Sequence, residues 1–211
     1  MNHTRFQYFV ISALMATATQ TVTKAGELED IKAINEQGIP KVIRCVLDKE
    51  PRVLAIQLEG NHNFAYSTWK CHLFKVWKGE NGKSIKFTGA VFDGRHGPQP
   101  VSIGKTLLKQ ENASWSHTSG AKLSYIGHKI KGDKTTVLYQ FLDNEHNPIA
   151  VIEETPSYEN GKYTRSISIS KLTSGKLIFT ADKNSPWKQN GKPVQKLEFD
   201  KASSLTLTAT F

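Results

Sequence analysis

The sequence predicts an all-β protein that folds as an antiparallel β-sandwich, or as an enlarged sandwich, of about a dozen strands. Three segments, 135–142, 163–170 and 203–211, alternate apolar and polar residues with a period of two. Successive side chains of a strand point to opposite faces of a sheet, so this alternation is typical of strands with one buried face. The residues predicted to face the core are Val137, Tyr139, Phe141, Ile167, Ile169, Leu205, Leu207, Ala209 and Phe211.

Short turn signals separate the strand-like segments. Asn-Gly pairs occur at 81–82, 160–161 and 190–191, each between two such segments. Asn-Gly suits the type I′ turn of a β-hairpin, in which both central residues have positive φ. The pairs at 132–133 and 174–175 are predicted to form further hairpin turns. Helical segments do not alternate with the strands, so a parallel sheet with crossover helices is not expected.

The composition is that of a globular protein. The chain has 211 residues, of which 38% are hydrophobic and 22% charged, with 15 Gly and 8 Pro. These values exclude a disordered or low-complexity chain. Two cysteines are too few for a disulfide-rich scaffold or a four-cysteine zinc site. A covalently attached c-type haem is excluded as well, because the sequence has no C-x-x-C-H run. The sequence contains no evident linker, and residues 26–211 are expected to form a single domain.

Residues 1–25 have the pattern of a secretory signal peptide. A basic start at Arg5 precedes a short apolar run, 9–16, and small residues suited to cleavage follow. An N-terminal core helix or an uncleaved anchor is the alternative. No other segment approaches the ~18 apolar residues of a transmembrane helix, so none is expected. The pattern predicts an exported protein, periplasmic or extracellular.

Export would permit a disulfide bond between Cys45 and Cys71, which both lie in apolar, strand-like segments. In the loop-entropy account such a bond would stabilise the protein by about 3–4 kcal/mol. The alternative is a pair of buried free thiols, and the sequence leaves both interpretations open.

The most distinctive stretch of the sequence is 66–100. Its first part, 66–79, is interpreted as one strand, in which four apolar residues at even spacing would lie on the same face of the sheet. Those residues are Trp69, Cys71, Leu73 and Trp77. Its second part ends in a loop, 93–98, that contains two glycines and a proline.

Asp93, Arg95 and His96 lie in this loop and form the first candidate ligand site. Gly and Pro restrict the backbone there, and charged groups on a constrained loop beside aromatic residues suit ligand binding. The fork of Arg95 matches a carboxylate or sulfate group, while Asp93 and His96 can hydrogen-bond hydroxyls. In the alternative, the loop is structural: Asp93 accepts bonds from backbone N–H groups and His96 packs against Pro98.

Residues 42–158 resemble a β-domain that is found beside c-type cytochrome modules in large secreted bacterial proteins. Those proteins often carry sugar-dehydrogenase-like propellers as well. The matching motifs are VLDKEPRVL at 46–54, LFKVWKG at 73–79, FDGRHGPQP at 92–100 and YIGHK at 125–129. This chain has neither a haem motif nor a propeller, so electron transfer does not carry over. The resemblance implies an exported bacterial β-protein with a link to polysaccharide breakdown.

Two further residues are added to the candidate site. His128, predicted on a strand, could converge with His96. Trp115, like Trp187, lies in polar, turn-rich surroundings and is expected to be exposed, where it could stack on the apolar face of a sugar. Trp69 and Trp77 are instead expected to pack in the core.

Other chemistries have little support in the sequence. His62 or His72 could join His96 and His128, but no local metal-ligand spacing is present, and neither a metal nor any cofactor is expected. Glu153 and Glu154 are adjacent, so on a strand they face opposite ways and cannot act as a pair.

The formal charge is +9, but the lysines are dispersed and no nucleic-acid motif appears, so no nucleic-acid partner is expected.

Three functions follow in order of preference. The first is a binding module for carbohydrate or another anionic ligand. The second is a hydrolase, lyase or epimerase acting on polysaccharides, with His96 and His128 as acid and base; its catalytic residues are otherwise unassigned, so enzyme status is open. The third is an interaction module that docks a redox or sugar-oxidising protein partner.

Overall fold

The computed structural model describes residues 31–32, 41–88, 99–112 and 114–211. These residues form eighteen β-strands and one short 3₁₀ turn, Glu59–Asn61, which confirms the predicted all-β class. None of the helical structure in this part of the chain is long and apolar enough to cross a membrane. The proposed signal peptide, 1–25, lies outside the described residues, so it stays a prediction.

The strands are β1 (Ile31–Lys32), β2 (Lys41–Leu47), β3 (Glu50–Gln57), β4 (His62–Ser67), β5 (His72–Lys78), β6 (Lys83–Thr88), β7 (Gln99–Ser102), β8 (Lys105–Lys109), β9 (Trp115–His117), β10 (Lys122–Lys131), β11 (Lys134–Leu142), β12 (Pro148–Glu159), β13 (Lys162–Leu172), β14 (Leu177–Thr180), β15 (Lys188–Gln189), β16 (Lys192–Pro193), β17 (Lys196–Phe199) and β18 (Ser203–Ala209).

The strands pair into four antiparallel sheets. Two large sheets have the orders β2-β3-β4-β5-β8 and β10-β11-β12-β13-β18-β15-β16. Two smaller sheets have the orders β17-β14-β9 and β1-β6-β7. Most neighbours are also consecutive in the chain, because hairpin turns connect them. The arrangement is the sandwich-like, all-β fold that the period-two alternation predicts.

One main core lies between the two large sheets. The five-stranded sheet contributes Leu54 and Phe64, the seven-stranded sheet contributes Ile167, and the sheet with β14 contributes Trp115 and Phe179. Eight of the nine residues that alternation assigned to the core are buried; the exception, Phe211, follows the last strand and is 42% exposed. Alternation therefore identified the buried face correctly within regular strands.

A second, smaller core covers the opposite face of the five-stranded sheet. Trp77 and Val53 pack there with Ile85 of β6. The indole N–H of Trp77 donates to the carbonyl of Ser84 at 2.9 Å. The sheet that contains β6 and β7 therefore packs on this face, and both faces of the five-stranded sheet are buried.

The three Asn-Gly pairs form the turns that the sequence predicts. Asn81 and Gly82 have φ values of 51° and 74°, and the pairs at 160–161 and 190–191 have similar positive values. Positive φ at both positions is the signature of the type I′ turn. Each pair connects two strands that hydrogen-bond to each other or form a bridge.

The segment 66–79 is a hairpin, and the prediction of one continuous strand is wrong. β4 ends at Ser67, a turn follows, and β5 begins at His72. Trp69 lies in the turn and is 63% exposed, whereas Trp77 is fully buried. The even interval between the two tryptophans does not place them on one face, because Trp69 lies in the turn and Trp77 in the strand that follows it.

Cys45 and Cys71 are both free in the structure. Cys71 belongs to the main core, whereas Cys45 packs against the second core. The two thiols therefore lie on opposite sides of the five-stranded sheet, which is why the disulfide considered from the sequence does not form. Burial raises the pKa of Cys45 to about 12 and that of Cys71 to about 11. Both thiols are protonated and unreactive at neutral pH.

Candidate functional site

Asp93, Arg95 and His96 of the predicted loop lie outside the described residues, so their convergence with His128 stays a prediction. The strands on either side of the loop are described. Their last pair is Thr88 with Gln99. Pro100 then accepts a hydrogen bond from the amide of Asp48 at 3.1 Å. The base of this hairpin is therefore anchored beside the turn between β2 and β3.

Trp115 is buried, which corrects the prediction that it is exposed. It is 4% exposed and packs edge-on against Phe179, with the ring centroids 5.1 Å apart. Trp187 is fully buried as well. The polar neighbours of Trp115 misled the prediction, because on β9 they are simply the residues that alternate outward: Ser116 is exposed between two buried residues. Neither tryptophan can stack on a ligand.

The exposed tryptophan is Trp69, at the turn between β4 and β5. The Cζ atom of Arg52 lies 4.4 Å from the centroid of the Trp69 ring, a cation–π contact. Thr68 fixes this pair, because its amide and its hydroxyl both donate to the carbonyl of Arg52, at 2.9 and 2.6 Å. The polar residues Ser67, Thr68 and Lys70 around Trp69 are the sequence signal for a turn that we missed.

His128 lies on β10 and is half-buried. Its Nδ1 atom is 3.2 Å from the hydroxyl of Tyr125. A β-bulge between Tyr125 and Gly127 shifts the register, so that Tyr125 pairs with Tyr139 and His128 with Val137. Both partners belong to the main core. Residues three apart normally face opposite ways, and the bulge places these two on the same face.

Further contacts connect β10 to the Trp69 turn. Arg44 is exposed and lies opposite Leu54 in the register of β2 and β3. Because directly opposite residues share a face and Leu54 belongs to the main core, the Arg44 side chain leaves the sheet on the main-core side. Burial raises the pKa of Tyr125, and the nearby Arg44 guanidinium opposes that rise. The Cys71 thiol, two residues after Trp69, lies against the backbone of Tyr125.

We group the Arg52–Trp69 pair with Arg44, Tyr125 and His128, because Cys71, at the end of the Trp69 turn, contacts the backbone of Tyr125. We call this group the Trp69 surface. It combines two guanidinium groups, an exposed indole and a Tyr–His pair. Two of the predicted site residues, Trp115 and His128, lie in the described part of the chain, and of these two His128 belongs to this group.

The adjacent carboxylates face opposite ways, as alternation predicts. Glu153 accepts a hydrogen bond from Lys129 on the outer face. Glu154 points into the main core and forms a buried ion pair with Arg165, with both side chains 1% exposed. The two carboxylates cannot act as a catalytic pair, and solvent does not reach Glu154.

His62 belongs to an aromatic cluster at the other end of β4. Its ring stacks on Tyr158, with centroids 3.3 Å apart, and its Nδ1 atom contacts the Tyr163 hydroxyl at 2.5 Å. Burial, with a smaller contribution from Lys78, lowers the pKa of His62 to about 4. Among the described residues no group of three or more His, Cys, Asp or Glu side chains is arranged to hold a metal ion.

We expect the stability of the protein to fall by on the order of 2 kcal/mol as the pH is lowered from 6.5 to about 4, through His62 alone. In this range the unfolded chain takes up a proton at His62, whereas the folded protein, with its lowered pKa, does not. Proton uptake by the unfolded state favours unfolding. Urea unfolding followed between pH 4 and 7.5 measures the effect.

The control for this prediction is His62→Phe, which keeps the stacked ring and removes the titrating group. All other titratable groups are common to both proteins, so the difference between their profiles of unfolding free energy against pH isolates His62. Parallel profiles for the two proteins would show that His62 titrates normally and would contradict the prediction.

No protein-family model, curated protein or solved structure matches this chain. The resemblance to the cytochrome-associated β-domain therefore stays a prediction from its four motifs.

Proposed function

We propose that this protein is an exported binding module for a carbohydrate that carries negative groups, and that the ligand binds at the Trp69 surface. The observation that carries the proposal is an exposed indole held against a guanidinium group: Trp69 is 63% exposed and Arg52 lies 4.4 Å from its ring. Large exposed aromatic side chains beside arginines are characteristic of recognition surfaces.

Each member of the surface has a role in this proposal. Arg44 and Arg52 donate to a carboxylate or sulfate, whose planar or tetrahedral oxygens match the guanidinium fork. The open part of the Trp69 ring packs on the apolar C–H face of a sugar ring. Tyr125 and His128 can donate to and accept from hydroxyl groups.

The overall charge supports an anionic ligand. The chain carries 28 Lys and Arg against 19 Asp and Glu. A net positive charge attracts anions over a distance and speeds their encounter with the specific site. Asp93, Arg95 and His96 stay predicted contributors to ligand binding on the sequence pattern of their loop, 93–98.

Binding to heparin, alginate and polygalacturonate, measured by calorimetry, tests the proposal. We expect at least one of these polymers to bind, with an affinity that falls as salt concentration rises. Arg52→Ala is expected to weaken binding about ten- to hundredfold, because a hydrogen bond to a charged group contributes about 1.5–3 kcal/mol. Trp69→Ala is expected to weaken it about tenfold, and Trp69→Phe to restore part of the loss.

Lys201→Ala is the matched control, because it removes one exposed positive charge from the turn between β17 and β18. Its effect should stay within about twofold. An equal loss of affinity in Lys201→Ala and Arg52→Ala would mean that only net charge matters and would refute a specific site. Absence of binding to all three polymers would refute the proposed ligand class.

A further inference from the structure

The outer face of the seven-stranded sheet carries polar side chains in register across three strands. Thr155, Ser166 and Thr206 lie side by side on β12, β13 and β18. The next row along the strands consists of Glu153, Ser168 and Ser204. Neighbouring strands are about 4.8 Å apart and the rows about 6.8 Å, so these groups form a grid of hydrogen-bonding atoms.

The turn between β15 and β16 converts this face into a groove. Gln189 and Asn190 line it together with the residues of both rows, and its volume is about 450 Å³. Lys188 pairs with Thr208, which attaches this hairpin to the edge of the sheet beside β18. Asn190 is in the left-handed region, with a φ of 49°, as the tight turn requires. The amide side chains thus form a wall beside the hydroxyl floor.

Most of the hydrogen-bonding capacity of the floor is not used within the protein. Across the described part of this face, one hydrogen bond joins two side-chain hydroxyls, that of Thr136 with Thr155 at 2.7 Å. Ser166, Ser204 and Thr206 are exposed, so solvent reaches their side chains. These groups are free to exchange water for the hydroxyls of a ligand.

The charge of the groove indicates which ligands suit it. Glu153 is the single charged residue among those that line the groove, and Lys129 donates to its carboxylate at 2.8 Å. The groove therefore presents no unpaired positive charge to an anion. A neutral ligand with many hydroxyl groups matches its Ser, Thr, Gln and Asn side chains, which both donate and accept.

We propose that this groove binds a neutral oligosaccharide chain laid across β12, β13 and β18. The volume falls within the range of small-molecule sites. The lining contains no aromatic residue, so hydrogen bonds carry the interaction and the affinity is modest. The groove lies on a different sheet face from the Trp69 surface and takes an uncharged ligand. The proposal therefore goes beyond the proposed function and does not depend on it.

Titration of the ¹⁵N-labelled protein with cellohexaose and with maltohexaose tests this site by NMR. We expect one of them to shift the amide signals of β12, β13 and β18, with a Kd on the order of 0.1–1 mM. Thr206→Val removes one hydroxyl from the floor and keeps a β-branched residue that suits a strand. It is expected to weaken binding about three- to tenfold, the contribution of one neutral hydrogen bond.

Thr180→Val is the matched control, because Thr180 is an exposed threonine at the end of β14 and does not line the groove. It should leave the affinity unchanged. The proposal is overturned if neither hexasaccharide shifts the three strands at millimolar concentration, or if Thr180→Val weakens binding as much as Thr206→Val. Shifts confined to the Trp69 surface would also overturn it, since they would place the neutral sugar at the other site.

Discussion

Replacement of Arg165 by methionine is expected to destabilise the protein by about 3–5 kcal/mol, as measured by urea unfolding followed through tryptophan fluorescence. The Nε and Nη2 atoms of Arg165 donate to the two carboxylate oxygens of Glu154 at 2.6 and 3.0 Å. Methionine fills similar space but leaves the Glu154 carboxylate without its counter-ion in the main core. A buried charge without its counter-ion carries a large desolvation penalty, and this dominates the expected loss.

The surroundings of the pair strengthen this expectation. The Tyr66 hydroxyl also donates to Glu154, at 2.8 Å, so the carboxylate ties the five-stranded sheet to the seven-stranded sheet. The Cζ atom of Arg165 lies 5.4 Å from the centroid of the Phe179 ring and 5.2 Å from that of the Trp187 ring. Arg165 therefore contacts two aromatic residues of the core while it neutralises the carboxylate.

The double variant Glu154→Gln with Arg165→Met separates the charge effect from the loss of packing. Glutamine keeps an acceptor for the Tyr66 hydroxyl and removes the unpaired charge. We expect the double variant to be more stable than Arg165→Met alone, which a double-mutant cycle measures as a coupling energy. A double variant that is less stable than either single variant would show that the charge is not the main cause.

Local features of the fold were predictable from the sequence, because they depend on neighbouring residues. The alternation in 163–170 specifies the buried face of β13, and Asn160-Gly161 specifies the turn before it. Features that depend on a break in this pattern were not predictable. The turn at Trp69 interrupts an apolar stretch, and the bulge after Tyr125 changes which residues share a face.

The Trp69 surface was harder to predict from the sequence than the fold. Its members come from β2, β3, the turn after β4, and β10, and their proximity depends on how the two large sheets pack. Composition around Trp115 resembles that around Trp69, yet one is buried by a neighbouring sheet and the other is not. Burial of this kind is set by tertiary packing, and a single sequence does not encode it in any local pattern.

Replacement of Gly104 by alanine is the second change expected to have a large effect, a loss of about 3–5 kcal/mol from backbone strain and overpacking together. Gly104 has a φ of 96°, which side-chain-bearing residues rarely adopt. A Cβ atom there would lie 2.2 Å from the carbonyl oxygen of Lys78 and 2.9 Å from the Cα of Gly79. These are main-chain atoms at the end of β5, so no rotation of a side chain can relieve the contact.

Gly82→Ala is the matched control, because it imposes a positive φ without crowding. Gly82 has a φ of 74°, and a Cβ atom there would meet nothing within 4 Å. We expect this variant to lose about 1 kcal/mol, the effect of the left-handed conformation alone. The difference between the two variants, measured by urea unfolding, isolates the close approach of Gly104 to the end of β5. Equal losses in the two variants would mean that the chain relaxes around an added methyl group at Gly104, and that the junction between β5 and β8 is less tightly packed than the structure indicates.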